Sequence, residues 1–210
     1  MKPYYDHDGI TIYHARCEDV LPSIDPADVG LLLTDPPYGI SHRSSQYWGN
    51  EVMDGDNEPF DPTPLLRFAR CVLFGANHYA SKLPDSRGWI VWNKRDRTKR
   101  TLPGSDVEMA WTNFVRDCRL FTKVWMPHTI RGEPLLHPTQ KPVSLMRWIV
   151  EQWTEPGDLV LDPYMGSGPV AQACHELGRS YIGIELVEEY CAIAVKRLSQ
   201  QTLDLAGGNA

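Results

Sequence analysis

The sequence lacks the marks of several protein classes. Cysteine is sparse, with five residues in 210, and no CxxC pair occurs. An odd, scattered set (Cys17, Cys71, Cys118, Cys174, Cys191) suits neither a disulfide framework nor a cysteine zinc site. It fits free thiols in a reducing cytoplasm. No run of about 18 apolar residues is present, so no transmembrane helix is expected. Met1 to Gly9 is polar and does not read as a secretory signal. No internal repeat is visible. Neither GxGxxG nor a Gly-Lys-Ser/Thr P-loop appears. An excess of positive charge is missing too: the net charge is −6. That argues against indiscriminate binding to nucleic acid. One local exception stands out, the stretch holding Lys94, Arg95, Arg97, Lys99 and Arg100. It reads either as a solvated loop or as a phosphate-contacting face.

What is present is an α/β grammar. Short apolar runs bounded by turn residues suit strands covered on both faces. They are Gly30 to Thr34, Cys71 to Phe74, Trp89 to Trp92, Asp106 to Trp111, Leu159 to Leu161 and Tyr181 to Ile184. Three helices read from 3.6-residue spacing. Met146, Ile149, Val150 and Trp153 form one apolar face, stopped by Pro156-Gly157. Val170, Ala171, Ala173, Cys174 and Leu177 form the second, with Pro169 in its first turn and Gly178 just past its end. Val187, Tyr190, Cys191, Ala194, Val195 and Leu198 form the third. The tail from Asp204 reads as frayed. The length fits one domain, residues 1–210. Residues 41–64, with Tyr47 and Trp48, and 116–136, with His128, Arg131 and Gly132, read as long functional loops.

The first chemical signal is Asp162-Pro163-Tyr164-Met165-Gly166-Ser167-Gly168, between a strand and a helix. Glycines let the backbone approach a ligand closely. The helix start offers free N–H groups. An acid before the glycines repels phosphate but suits an ammonium. Glu185 ends the next strand, where a carboxylate can take both hydroxyls of a ribose. Adenosine joined to a methionine moiety meets both demands. The competing reading is an ordinary turn with incidental acids.

The second signal is Asp35-Pro36-Pro37-Tyr38 at the end of the Gly30 to Thr34 strand. Two prolines stiffen the bend and display carbonyls in set directions. Asp35 adds an acceptor and Tyr38 a flat ring. Together they suit a heterocyclic amine: acceptors for two N–H groups and a surface to stack on. Accepting both N–H bonds frees the conjugated lone pair for attack, an electrostatic effect. A rigid proline turn with a half-buried tyrosine is the plainer alternative.

These two blocks, with His137-Pro138-Thr139-Gln140-Lys141-Pro142, resemble the DNA amino-methyltransferases that modify adenine N6 or cytosine N4. The order matches the subgroup whose catalytic motif precedes the cofactor motif. The resemblance implies a Rossmann-like, S-adenosylmethionine-dependent methyltransferase fold. Its sheet would be doubly wound, mostly parallel and seven-stranded, with circularly permuted motif order. By position, Asp35, Pro36, Pro37 and Tyr38 would be catalytic, with Tyr38 stacking on a flipped base. Asp162, Pro163, Tyr164, Gly166, Gly168 and Glu185 would hold S-adenosylmethionine, joined by Thr139, Lys141 and Asp19. No metal is implied.

The aspartate that opens the catalytic bend points to adenine. The alternatives are cytosine-N4 methylation, an RNA or protein-glutamine methyltransferase of the same fold, or a non-catalytic nucleic-acid-binding homologue. Two departures stand out. Arg16 occupies the place where relatives carry an acid for the cofactor adenine, and Pro169 follows the second cofactor glycine. The expected partner is double-stranded DNA, with no membrane. The oligomeric state is open, a homodimer included. The expected setting is the cytoplasm of a bacterium, the chain bacterial or phage-encoded.

Overall fold

A computed structural model describes residues 1–40, 56–95, 105–124, 136 and 139–207, with side chains as far as Ser199. The chain divides into two compact units, Met1–Leu31 with Gln140–Ala210, and Leu32–Thr139.

The first unit holds four strands: β1 (Tyr5–His7), β2 (Ile10–His14), β8 (Leu159–Asp162) and β9 (Ser180–Glu185). β1 and β2 form an antiparallel hairpin. β9 lies parallel to both β2 and β8. Asp8 and Gly9 make the hairpin turn, both with positive φ, 49° and 76°. Two such residues give a turn whose twist matches the strands. β8 and β9 are mostly buried, as their apolar runs predict. Helix α1 (Cys17–Val20) follows β2.

Three longer helices complete the unit. α2 (Val143–Trp153) buries Val143, Leu145, Met146, Ile149 and Val150 and packs on α3 (Pro169–Leu177). α3 also packs on β9 and on α4 (Glu188–Gly207). Pro169 is its first residue, and left-handed Gly178 ends it, as expected. α4 runs through the tail expected to fray. Its sequence offers no strong breaker before Gly207.

The second unit holds β3 (Leu31–Thr34) from its second residue, β4 (Cys71–Phe74), β5 (Trp89–Asn93), β6 (Val107–Thr112) and β7 (Arg119–Thr122). β3 and β4 are parallel and fully buried. β6 pairs antiparallel with both β4 and β5, and β7 lies parallel to β5. The described residues thus form nine strands rather than seven. The additions are short and exposed. β1 and β7 carry almost no buried side chains, so hydrophobic pattern gives no sign of them. β7 is a strand inside residues 116–136, where a loop is expected. Backbone pairing to β5 holds it, and Leu120 on it stays exposed. Among the described residues no helix is long and apolar enough to cross a membrane.

Candidate active site

The cofactor-side residues gather at the carboxyl ends of three parallel neighbours. Asp162 on β8 stands opposite Gly183 of β9, and His14 on β2 stands opposite Glu185 of β9. In open α/β sheets, ligands bind outside these strand ends. The glycine turn that follows β8 is strongly shaped. Gly166 and Gly168 have φ of 54° and 75°, a region that side chains disfavour. A Cβ on Gly168 would come within 2.8 Å of the Ala194 Cβ, so α4 also requires glycine there.

Glu185 braces this turn. The Gly166 N–H donates to one carboxylate oxygen at 2.8 Å, and the Val187 N–H donates to the other at 2.8 Å. A carboxylate offers about four acceptor sites. The same group can therefore hold the turn and receive a ligand hydroxyl. Asp162 is buried, 2% exposed. It accepts from the Tyr164 N–H at 3.3 Å and from the Tyr181 hydroxyl at 3.4 Å. Burial, then the nearby Asp162 charge, pushes the Tyr181 phenol well above its ordinary value, which keeps it a donor.

A buried polar network ties the turn to distant chain. The Ser167 hydroxyl donates to Gln140 Oε1 at 3.0 Å, and Arg197 donates to the same oxygen at 2.9 Å. Arg197 also donates to Gln172 Oε1 on α3 at 3.2 Å. Gln140 thus links the glycine turn to α4. Thr139 is half-buried and Lys141 is buried. His137 and Pro138 lie outside the described residues. Asp19 is exposed in the first turn of α1, and Arg16 pairs with Glu18 at 3.7 Å. The Cys17 thiol donates to the Tyr164 hydroxyl at 3.2 Å.

The Asp35–Tyr38 bend is built within the second unit. Asp35, Pro37 and Tyr38 are half-buried, and Pro36 is buried. The Tyr38 hydroxyl donates to Asp35 Oδ1 at 2.5 Å. Its ring lies stacked on His78, centroids 5.1 Å apart and planes 13° apart. Gly75, at φ 66°, passes beneath that ring so closely that a Cβ would sit 1.9 Å from Tyr38 Cε1. Buried Asp56 accepts from the Gly39 N–H at 2.8 Å and closes the bend. Gly75→Ala should therefore push Tyr38 aside and force alanine into a left-handed conformation that costs about 1–2 kcal/mol. We expect turnover to be lost while the melting temperature falls by only about 2–8 °C. Parallel methylation and thermal-unfolding assays check this, and wild-type turnover would refute it.

The chain matches the DNA methylase family profile for N6 and N4 enzymes over residues 90–196. It is 46% identical over 212 residues to the putative methylase YubD of Escherichia coli strain K12, covering 87% of each chain. The chain belongs to the N6/N4 DNA methylase family. It is 26% identical over 249 residues to the type II methyltransferase M2.LlaDCHI of Lactococcus lactis subsp. cremoris, covering 95% of this chain and 93% of the relative. Its structure resembles the crystal structure of the M1.HpyAVI–SAM complex, with a TM-score of 0.58 and 26% identity, covering 90% of this chain and 98% of that one. The Rossmann-like methyltransferase fold expected from the motifs is the fold of this methylase.

Two cations of the basic stretch are engaged within the protein. Lys94 Nζ sits 2.7 Å from Glu108 on β6, with both side chains mostly covered. The Arg95 guanidinium sits 2.8 Å from Asp106. These two cations brace β5 and its continuation against β6 and are not bare phosphate contacts. Arg97, Lys99 and Arg100 lie outside the described residues, as do Tyr47, Trp48, His128, Arg131 and Gly132. Sequence reading also missed Gln140, Arg197, Tyr181, Asp56, Gly75 and His78. Gln140 was visible in its motif. The others act through contacts with residues far along the chain, and no local pattern marks them.

Proposed function

We propose that this methylase transfers a methyl group from S-adenosylmethionine to the N6 amino group of adenine in double-stranded DNA, with the base turned out of the helix. The observation that carries this reading is the Asp35–Tyr38 bend. A carboxylate and a proline-stiffened backbone stand beside an aromatic ring held in one orientation.

The methyl donor is S-adenosylmethionine. The glycine turn suits it: two positive-φ glycines, a helix start and Glu185 at one strand end leave backbone and carboxylate to meet a nucleoside. Asp162, Pro163, Tyr164, Gly166, Gly168 and Glu185 would hold it, joined by Asp19, Thr139 and Lys141. Bound there, it supplies an electrophilic methyl carbon on an excellent leaving group. The protein's own work is to hold and polarise the amine. The Asp35 carboxylate and the Pro36 carbonyl accept the two N–H bonds, and Pro37 locks the bend. Tyr38 stacks on the base ring. Positive charge grows on the nitrogen during transfer, so fixed acceptors there stabilise the transition state more than the ground state.

Cys17, Cys71 and Cys191 are poor candidates for the cysteine nucleophile that ring-carbon methylation would need. Burial pushes the Cys17 thiol up to about 11 and those of Cys71 and Cys191 up to about 12. Such thiols stay protonated at neutral pH. The five cysteines are free and four are buried, in keeping with a reducing cytoplasm. We take residues 1–210 to act as one catalytic domain in which 41–64 and 116–136 contact DNA.

The test is to map modified bases in DNA from cells expressing the chain, against cells expressing Asp35→Ala. N6-methyladenine in a short sequence context is the expected result. N4-methylcytosine would move the target to cytosine. Methyl groups found only in RNA or protein would reject DNA as the substrate.

A further inference from the structure

Tyr38 is already stacked. Its partner is the imidazole of His78, on the single-turn helix Ala76–His78 that follows β4 and Gly75. The spacing leaves no room between the rings. A base held between two rings needs them about 7–8 Å apart, twice the carbon–carbon contact distance. Here the centroids are 5.1 Å apart with planes 13° from parallel. Another part of the Tyr38 ring is occupied by the Gly75 backbone, and the hydroxyl is held by Asp35. Yet His78 itself is exposed. The imidazole that covers this side of Tyr38 thus borders solvent. The imidazole is also close in size to the five-membered ring of a purine.

We propose that His78 is a place-holder for the target base: it covers the stacking face of Tyr38 in the free enzyme and yields that face when the base enters. This rests on the reading of Tyr38 as the base-stacking residue. The exposed tyrosine face would otherwise meet water or stray aromatic groups. Handing it from one ring to another keeps the stacking interaction nearly constant through base entry. It also sets a threshold, because only a ring that stacks better than imidazole holds the site.

The place-holder competes with substrate, and this separates it from a positioning residue. Removing a competitor lowers the KM for DNA and leaves kcat in place. Removing a positioning group lowers kcat. An aromatic pair is worth a factor of about 2 to 12 in an equilibrium constant beyond simple burial. Plasmid DNA from a strain without DNA methylation is a suitable substrate. With His78→Ala, the KM for DNA should fall by about that factor and kcat should hold. With His78→Trp, which stacks more strongly, the KM should rise. A lowered kcat with unchanged KM in His78→Ala, or equal KM values in both variants, would overturn the proposal.

A second readout does not need turnover. In the free enzyme labelled at histidine, the His78 ring protons should show a ring-current shift that Tyr38→Phe retains and Tyr38→Ala abolishes. Absence of that shift would overturn the place-holder alone. Presence of the shift together with wild-type turnover in Tyr38→Ala would instead show that Tyr38 does not stack the base, and both readings would fall.

Discussion

Asp35→Ala is expected to lower the rate of methyl transfer by about 10²–10³-fold or more, the scale of losing a preorganised group that stabilises charge in a transition state. The target amine loses its charged acceptor. A second effect adds to the first: the Tyr38 hydroxyl, now held at 2.5 Å by Asp35, loses its partner. The ring is still set against Gly75 and His78, so the bend should survive. Asp35 is half-buried, and the aspartate that closes the bend from below, Asp56, is untouched. S-Adenosylmethionine binding should stay close to wild type, since Glu185, Gln140 and Arg197, which hydrogen-bond the glycine turn, belong to the other compact unit. Transfer of radiolabelled methyl to DNA measures the first effect and calorimetric titration the second. Retained turnover would remove Asp35 from the chemistry. Lost cofactor binding would mean that the substitution damaged more than the acceptor.

Glu185→Ala should be costly in a different way. It removes the acceptor for two backbone N–H groups, Gly166 and Val187. Leaving a part-buried donor unsatisfied costs about 1–3 kcal/mol. For two donors, partly rescued by water, a loss of about 2–4 kcal/mol is expected, which lowers the melting temperature by roughly 4–16 °C in a domain of this size. The same carboxylate is assigned to the cofactor ribose. One charged hydrogen bond is worth about 1.5–3 kcal/mol, so the S-adenosylmethionine Kd should rise about 10- to 150-fold. Glu185→Gln separates the two roles. It keeps one acceptor oxygen and should regain more stability than affinity. A variant that melts early yet binds S-adenosylmethionine normally would confine Glu185 to bracing the turn.

Much of this protein could be read before any coordinates. The buried faces of α2 and α3 follow from residue spacing, and the strands β3, β4 and β8 from short apolar runs between turn residues. Gly166, Gly168 and Gly178 have the left-handed geometry that their positions around a helix suggest. The proline bend and the glycine turn were legible for the same reason. Each is a short stretch whose chemistry lies in adjacent residues. The hairpin around Asp8-Gly9 was legible in principle, as a two-residue turn signal. It was obscured because β1 buries nothing.

What the order of residues could not supply is who meets whom across the chain. Sequence supplied a carboxylate at position 185 and a glycine turn before it. Only the fold set both carboxylate oxygens on backbone donors. Lys94 and Arg95 look like a phosphate face until β6 brings Glu108 and Asp106 beside them. Tyr38 looks like an open stacking surface until Gly75 and His78 arrive from the end of β4. A hydrogen bond, an ion pair or a ring stack depends on distances of a few ångströms. Residues distant in sequence reach those distances only through strand pairing and helix packing, and so the tertiary structure alone decided which of the chemically competent side chains are already engaged.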